Sequence, residues 1–182
     1  MQRARDIIGL PVIEWETGKE AGSVQDLLFN KQWQYKGLLL EEKNFFHKGS
    51  YVPASAVLSF GPDCIMIRAD AITSFDSSSM WQTLRTGRAP LKGKSVVTVH
   101  GRHLGFVADV YLEPHAGKIV GYELSDGILS DMLDGRRVIR DTQRITLGKN
   151  AVVVEDITDS VPLHLGGFKY DDVHQLPIER HR

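Results

Sequence analysis

The segment Gly22-Ser-Val-Gln-Asp26-Leu-Leu-Phe29 returns 83 residues later as Gly105-Phe-Val-Ala-Asp109-Val-Tyr-Leu112. Both spell Gly-x-Val-x-Asp followed by three apolar residues. Upstream, Gly9-x-x-Val12 answers Gly93-x-x-Val96. Downstream, Lys36-Gly37-Leu38-Leu39-Leu40 answers Val120-Gly121-Tyr122-Glu123-Leu124. Leu58-Ser-Phe60-Gly61 then matches Ile145-Thr-Leu147-Gly148, and Ile65-Met66-Ile67 matches Val152-Val153-Val154. Five blocks in one order mark two homologous halves, and an internal repeat restricts the fold more than any composition does, because each copy must build the same small unit. A chain of 182 residues has room for two such units.

Each half reads as short strands broken by turns. Gly9–Trp15, Ser23–Phe29, Gln34–Leu40 and Cys64–Arg68 serve the first half; Ser95–Val99, Phe106–Leu112, Ile119–Leu124 and Ala151–Glu155 serve the second. Val, Ile, Tyr and Phe gather in these runs while Gly, Pro, Asn and Asp lie between them. Strands at this spacing, without long helical patterns between them, predict an all-β fold of two tandem small barrels carrying one or two short helices. The helix candidates are Ser77–Arg85, which opens on capping serines, and the Ser125–Gly135 segment, where Ile128, Leu129, Met132 and Leu133 repeat at helical spacing. The expected organisation is repeat 1 over 1–75, a linker over 76–88, repeat 2 over 89–158 and a loosely attached tail over 159–182.

The repeated blocks resemble the PRC-barrel family, the small barrel of the reaction-centre H subunit's cytoplasmic domain and of the C-terminal domain of the ribosome-maturation factor RimM. The resemblance rests on Gly-x-x-Val, on Gly-x-Val-x-Asp with its apolar triplet, on the Gly-centred strand, and on Tyr51-Val52-Pro53 before the closing strands. It covers Ala4–Asp70 and Ala89–Asp156, in an order similar to the two-barrel PRC proteins of spore-forming bacteria. The second half departs in placing Val138-Ile139-Arg140 at the Val-Pro entry and in inserting Ile128–Leu133. The departures suggest that the two barrels do different jobs.

Physical chemistry assigns roles to the repeated residues. Asp26 and Asp109 each interrupt an apolar strand, where an unpaired carboxylate would cost several kcal/mol. Each is expected to accept backbone N–H bonds or to face the barrel rim. Gly22 and Gly105 read as bulge or corner positions where a side chain would not fit.

Composition removes several function classes. Twenty-two Lys and Arg against 23 Asp and Glu, a net charge of −1, argue against a strongly basic nucleic-acid binder. Cys64 is alone, so an internal disulfide framework and a Cys-pair zinc site are excluded; beside Ile65 and Ile67 it reads as inert packing. The apolar run Ile7–Ile13 is broken by Gly9 and Pro11 and is too short to span a membrane, so a cytoplasmic location is expected. His100-Gly-Arg-His103 lacks a third ligand nearby, and Asp126, Asp131 and Asp134 lack the closing Glu of a calcium loop. No phosphate-binding loop, nucleophile elbow or dinucleotide fingerprint occurs, so neither catalysis nor a cofactor is expected.

Candidate contact residues remain. Of the aromatic group Trp33, Tyr35, Phe45, Phe46 and Tyr51, some must be barrel core; Trp33 and the Phe45-Phe46 pair, beside polar turns, are the candidates for exposed contact anchors, with Met132-Leu133 a similar candidate in the second half. Arg136, Arg137, Arg140 and Arg144 cluster within nine residues, a grouping able to grip phosphate or carboxylates, although flanking aspartates also suit a salt-bridged face. The leading expectation is a protein-interaction module, binding a protein partner or forming a homo-oligomer. The RimM resemblance and the arginines make an RNA- or ribosome-associated factor the alternative.

Overall fold

Alternation decides which residues of the repeated strands face inward. In the computed structural model, which describes residues 1–41, 49–75, 81–87, 90–125, 136–140, 145–155 and 161–163, strand β2 (Pro11–Glu14) buries Val12 and Glu14. Its counterpart β10 (Ser95–Thr98) buries Val96 and Thr98. Each half adds a long strand, β3 (Glu20–Phe29) or β11 (His103–Glu113), and its hairpin mate, β4 (Tyr35–Leu40) or β12 (Lys118–Ser125). The first half continues with β5 (Ser50–Pro53), β6 (Val57–Phe60), β7 (Ile65–Ile67) and β8 (Thr73–Ser74). The second continues with β13 (Arg136–Arg140), β14 (Ile145–Leu147), β15 (Ala151–Val154) and β16 (Val161–Leu163).

The sheet orders are β6-β7-β2-β3-β4-β5-β8 and β14-β15-β10-β11-β12-β13-β16, the same path twice. Both contain one parallel junction, with Val12 beside Ile65 in the first half and Val96 beside Val152 in the second. The expected all-β pair of curled, barrel-like sheets is therefore present. The duplication extends to individual irregularities. Register slips between Val12 and Ile13 and between Val96 and Val97, next to the pairs Val12–Gly22 and Val96–Gly105. Gly22 (φ 146°) and Gly105 (φ 125°) sit at these bulges in backbone that favours glycine. Crowding is not the reason at Gly22, contrary to the sequence-based expectation: a Cβ there would meet nothing nearer than Leu40, at 3.9 Å.

Two further strands tie the halves together. β1 (Gln2–Arg3), which precedes the first half, pairs with Leu112 and Tyr111 of the second. β9 (Gln82–Thr83), which precedes the second half, pairs with Phe29 and Leu28 of the first. The residues after each strand continue the exchange. Helix α1 (Ala4–Ile7) buries Ala4 and Ile7, while Leu84 and Leu91 are buried after β9. Burying an Ile or Leu contributes about 1.5–3 kcal/mol. One apolar cluster consequently runs through both halves, from Val12 and Leu38 to Val107 and Leu124.

Three expectations change here. Gln82–Thr83 is strand, so the helix expected over Ser77–Arg85 does not extend through those residues. A two-residue strand has no periodicity of its own and is fixed by the edge it joins. Val161–Leu163, expected to begin a loose tail, pairs with β13 and closes the second sheet as β8 closes the first. Helix α1 has no counterpart in the sequence-based reading. The Ser125–Gly135 helix candidate falls, beyond Ser125, outside the described residues.

Because each sheet is completed by the other half's leading segment, the chain is expected to unfold in urea as one cooperative unit. Far-UV dichroism and tryptophan fluorescence should give coincident transitions, and Leu84→Ala should lower stability by about 2–5 kcal/mol in both signals.

Candidate functional site

The repeated aspartates stand one step past a second bulge. Register slips between Val24 and Asp26 and again between Val107 and Asp109, so both carboxylates turn inward from their strands. Asp26 is fully buried. Its Oδ1 accepts the N–H of Leu27 at 2.7 Å. Its Oδ2 accepts the N–H groups of Arg85 (2.9 Å) and Thr86 (2.7 Å), and the Thr86 hydroxyl (2.7 Å). Asp109 repeats the scheme more sparingly, with Oδ1 accepting Val110 N–H at 2.9 Å and Oδ2 accepting Arg5 N–H at 3.2 Å. Each aspartate thus holds the segment that leads into the other half.

The neighbours of the two carboxylates differ. Leu39 lies across from Asp26 and Glu123 across from Asp109. Glu123 is fully buried, with Arg3 Nη1 and Arg5 Nη1 each 3.9 Å from its carboxylate oxygens. Arg3 also pairs with Asp6 at 3.1 Å. Burial pushes the Asp109 carboxyl above the ordinary carboxylate range; Glu123 adds to the rise, and the N–H groups of Val110 and Arg5 oppose it. Burial, and then Glu123, raise the Tyr111 phenol in the same cluster.

Trp33 is not the exposed anchor expected from its polar turn. Asn30 Oδ1 accepts the N–H groups of Gln32 (3.0 Å) and Gln34 (2.9 Å), closing a turn in which Trp33 adopts φ 57°. That left-handed backbone directs the indole inward, where it is 8% exposed and 5.6 Å from the Phe29 ring. Lys94 of the second half lies over the indole at 5.4 Å and donates to the Gly148 carbonyl at 2.9 Å, while burial lowers its pKa. Beside it, Tyr35 N–H donates to the Gly117 carbonyl at 2.8 Å, another bond between halves.

Of the arginine group, Arg137 Nη2 donates to the Leu104 carbonyl at 2.7 Å and Arg140 is half-buried. Arg136 lies on β13. Phe45, Phe46, Met132, Leu133 and Arg144 lie outside the described residues.

Among the described residues the exposed large apolar side chains are others: Trp15, Leu58, Ile72, Val99 and Phe106. Trp15 is 68% exposed just beyond β2, and Val99 is 56% exposed at the matching place beyond β10. Both backbones are anchored alike, Trp15 N–H to the Ile67 carbonyl and Val99 N–H to the Val154 carbonyl. Phe106, 46% exposed, lies across from Ser95 and packs edge-on to His103 at 5.0 Å. Strand alternation held the signal for Trp15: with Val12 and Glu14 inward, Ile13 and Trp15 must point out.

A twice-repeated barrel with bulge glycines and inward aspartates defines a class. The PRC-barrel domain family matches residues 1–73 and 87–161, and the chain belongs to that family. It is also 28% identical over 156 residues to a Bacillus subtilis (strain 168) protein named "Uncharacterized protein YrrD", covering 85% of this chain and 87% of that one. No described helix is long and apolar enough to cross a membrane.

Asp26→Ala leaves three backbone N–H groups and the Thr86 hydroxyl without their acceptor and is expected to cost about 2–4 kcal/mol by urea denaturation, more than Asp109→Ala costs at neutral pH. Trp33→Ala should cost about 3–5 kcal/mol.

Proposed function

We propose that the chain is a non-catalytic protein-interaction module, two barrels tied into one body that present matched outer surfaces to a protein partner or to a second copy. The observation that supports this reading is the paired exposure of Trp15 and Val99 at equivalent hairpin positions, with Phe106 beside the second. A large indole kept in water adds nothing to the core, and aromatic side chains of this kind anchor interfaces. Among the arginines proposed for RNA, Arg137 is engaged by the Leu104 carbonyl, which favours the protein-partner reading.

The test is affinity capture with the wild-type chain and with Trp15→Ser/Val99→Ser/Phe106→Ser, combined with sedimentation. The triple variant should keep its unfolding midpoint nearly unchanged and lose its partner or self-association by at least about tenfold, or 1.4 kcal/mol. Unchanged association in the variant, or a monomer that captures nothing, would overturn the proposal. RNA capture that weakens steeply with salt and with Arg137→Ala/Arg140→Ala would replace it with the ribosomal alternative.

A further inference from the structure

The two segments that cross between the halves are bound by different chemistry. Asp26 receives three bonds from the incoming segment at Arg85 and Thr86, and its cross-strand neighbour is Leu39. Asp109 receives one such bond, the 3.2 Å contact from Arg5, and its neighbour is the buried Glu123. Two buried carboxylates therefore lie side by side, Asp109 4% and Glu123 0% exposed. The arginines facing them, Arg3 and Arg5, both ride on the incoming segment.

We propose that β1 and α1 form a pH-sensitive latch on the second half, whereas the segment through Arg85 and Thr86 is a permanent tie. The charged and titratable groups on the elements around the latch include Arg3 on β1, Arg5 and Asp6 on α1, Asp109 and Tyr111 on β11, Glu123 on β12, and Arg137 and Arg140 on β13, which places Val138 opposite Glu123 and Arg140 opposite Gly121. With the latch docked, burial holds the Asp109 carboxyl above its ordinary range. Undocking opens the carboxylate pair to water and returns the carboxyl toward the ordinary value. The docked state then binds more protons than the open one between those two limits. Docking is accordingly strongest below the ordinary carboxylate pKa and weakens as pH rises through the raised value. Each unit of difference changes the docking equilibrium about tenfold.

Hydrogen exchange of the intact chain, corrected for the intrinsic pH dependence of exchange, tests the latch between pH 4.5 and 7.5. Protection of residues 2–8 should fall as pH rises, while that of residues 85–87 stays level. Asp109→Asn, which keeps the shape but cannot titrate, should flatten the profile of residues 2–8, and Asp26→Asn should not. Glu123→Leu, which installs the residue found at the matching position of the first half, provides a second variant and should reduce the slope. Equal pH responses of the two segments, protection that rises with pH, or an unchanged slope in Asp109→Asn would each overturn the latch.

Discussion

A buried carboxylate accepting backbone N–H groups from the opposite repeat is the interaction on which this architecture turns. A lone carboxylate inside a sheet is costly, and that cost is relieved only when donors are brought to it. In this chain the donors at Arg85, Thr86 and Arg5 belong to segments that lead into the other half. The same residue that strains one strand therefore selects its neighbour. The bulge beside it turns the side chain inward, and the bulge glycines bend the preceding hairpin.

Once the leading segments are exchanged, the seam between the halves fills in. Lys94 covers Trp33, the Gly117 carbonyl meets Tyr35, and the apolar cluster crosses from one sheet to the other. The hairpin tips on the outer side take no part in this closure. Trp15 and Val99, beyond β2 and β10, are left to solvent.

Much of this was legible from residue order. The repeated blocks located the long strands, but the parallel junctions that bring Val12 beside Ile65 and Val96 beside Val152 needed the sheet order. Glu123 was visible as a charge where the first half has Leu39, although its burial required the register of β11 on β12. What escaped the sequence has no periodic signal. β1 and β9 are two residues each, and their conformation is imposed by the strand they join. Trp33 was misplaced because its side chain is directed by a left-handed backbone angle, set by the Asn30 turn, that alternation does not register. Val161–Leu163 looked detached because a short closing strand depends on β13 for its bonds.

The reciprocal exchange has a bearing on ancestry. In this chain each barrel's leading strand is seated on the other barrel, a pairing that two separate single-barrel chains could make only by meeting in solution. Joining two copies end to end converts that encounter into an intramolecular one, where the effective concentration is set by the connecting segment rather than by how much protein the cell holds. Concatenation removes mass action from the assembly and also frees the two copies to diverge, as Leu39 and Glu123 have.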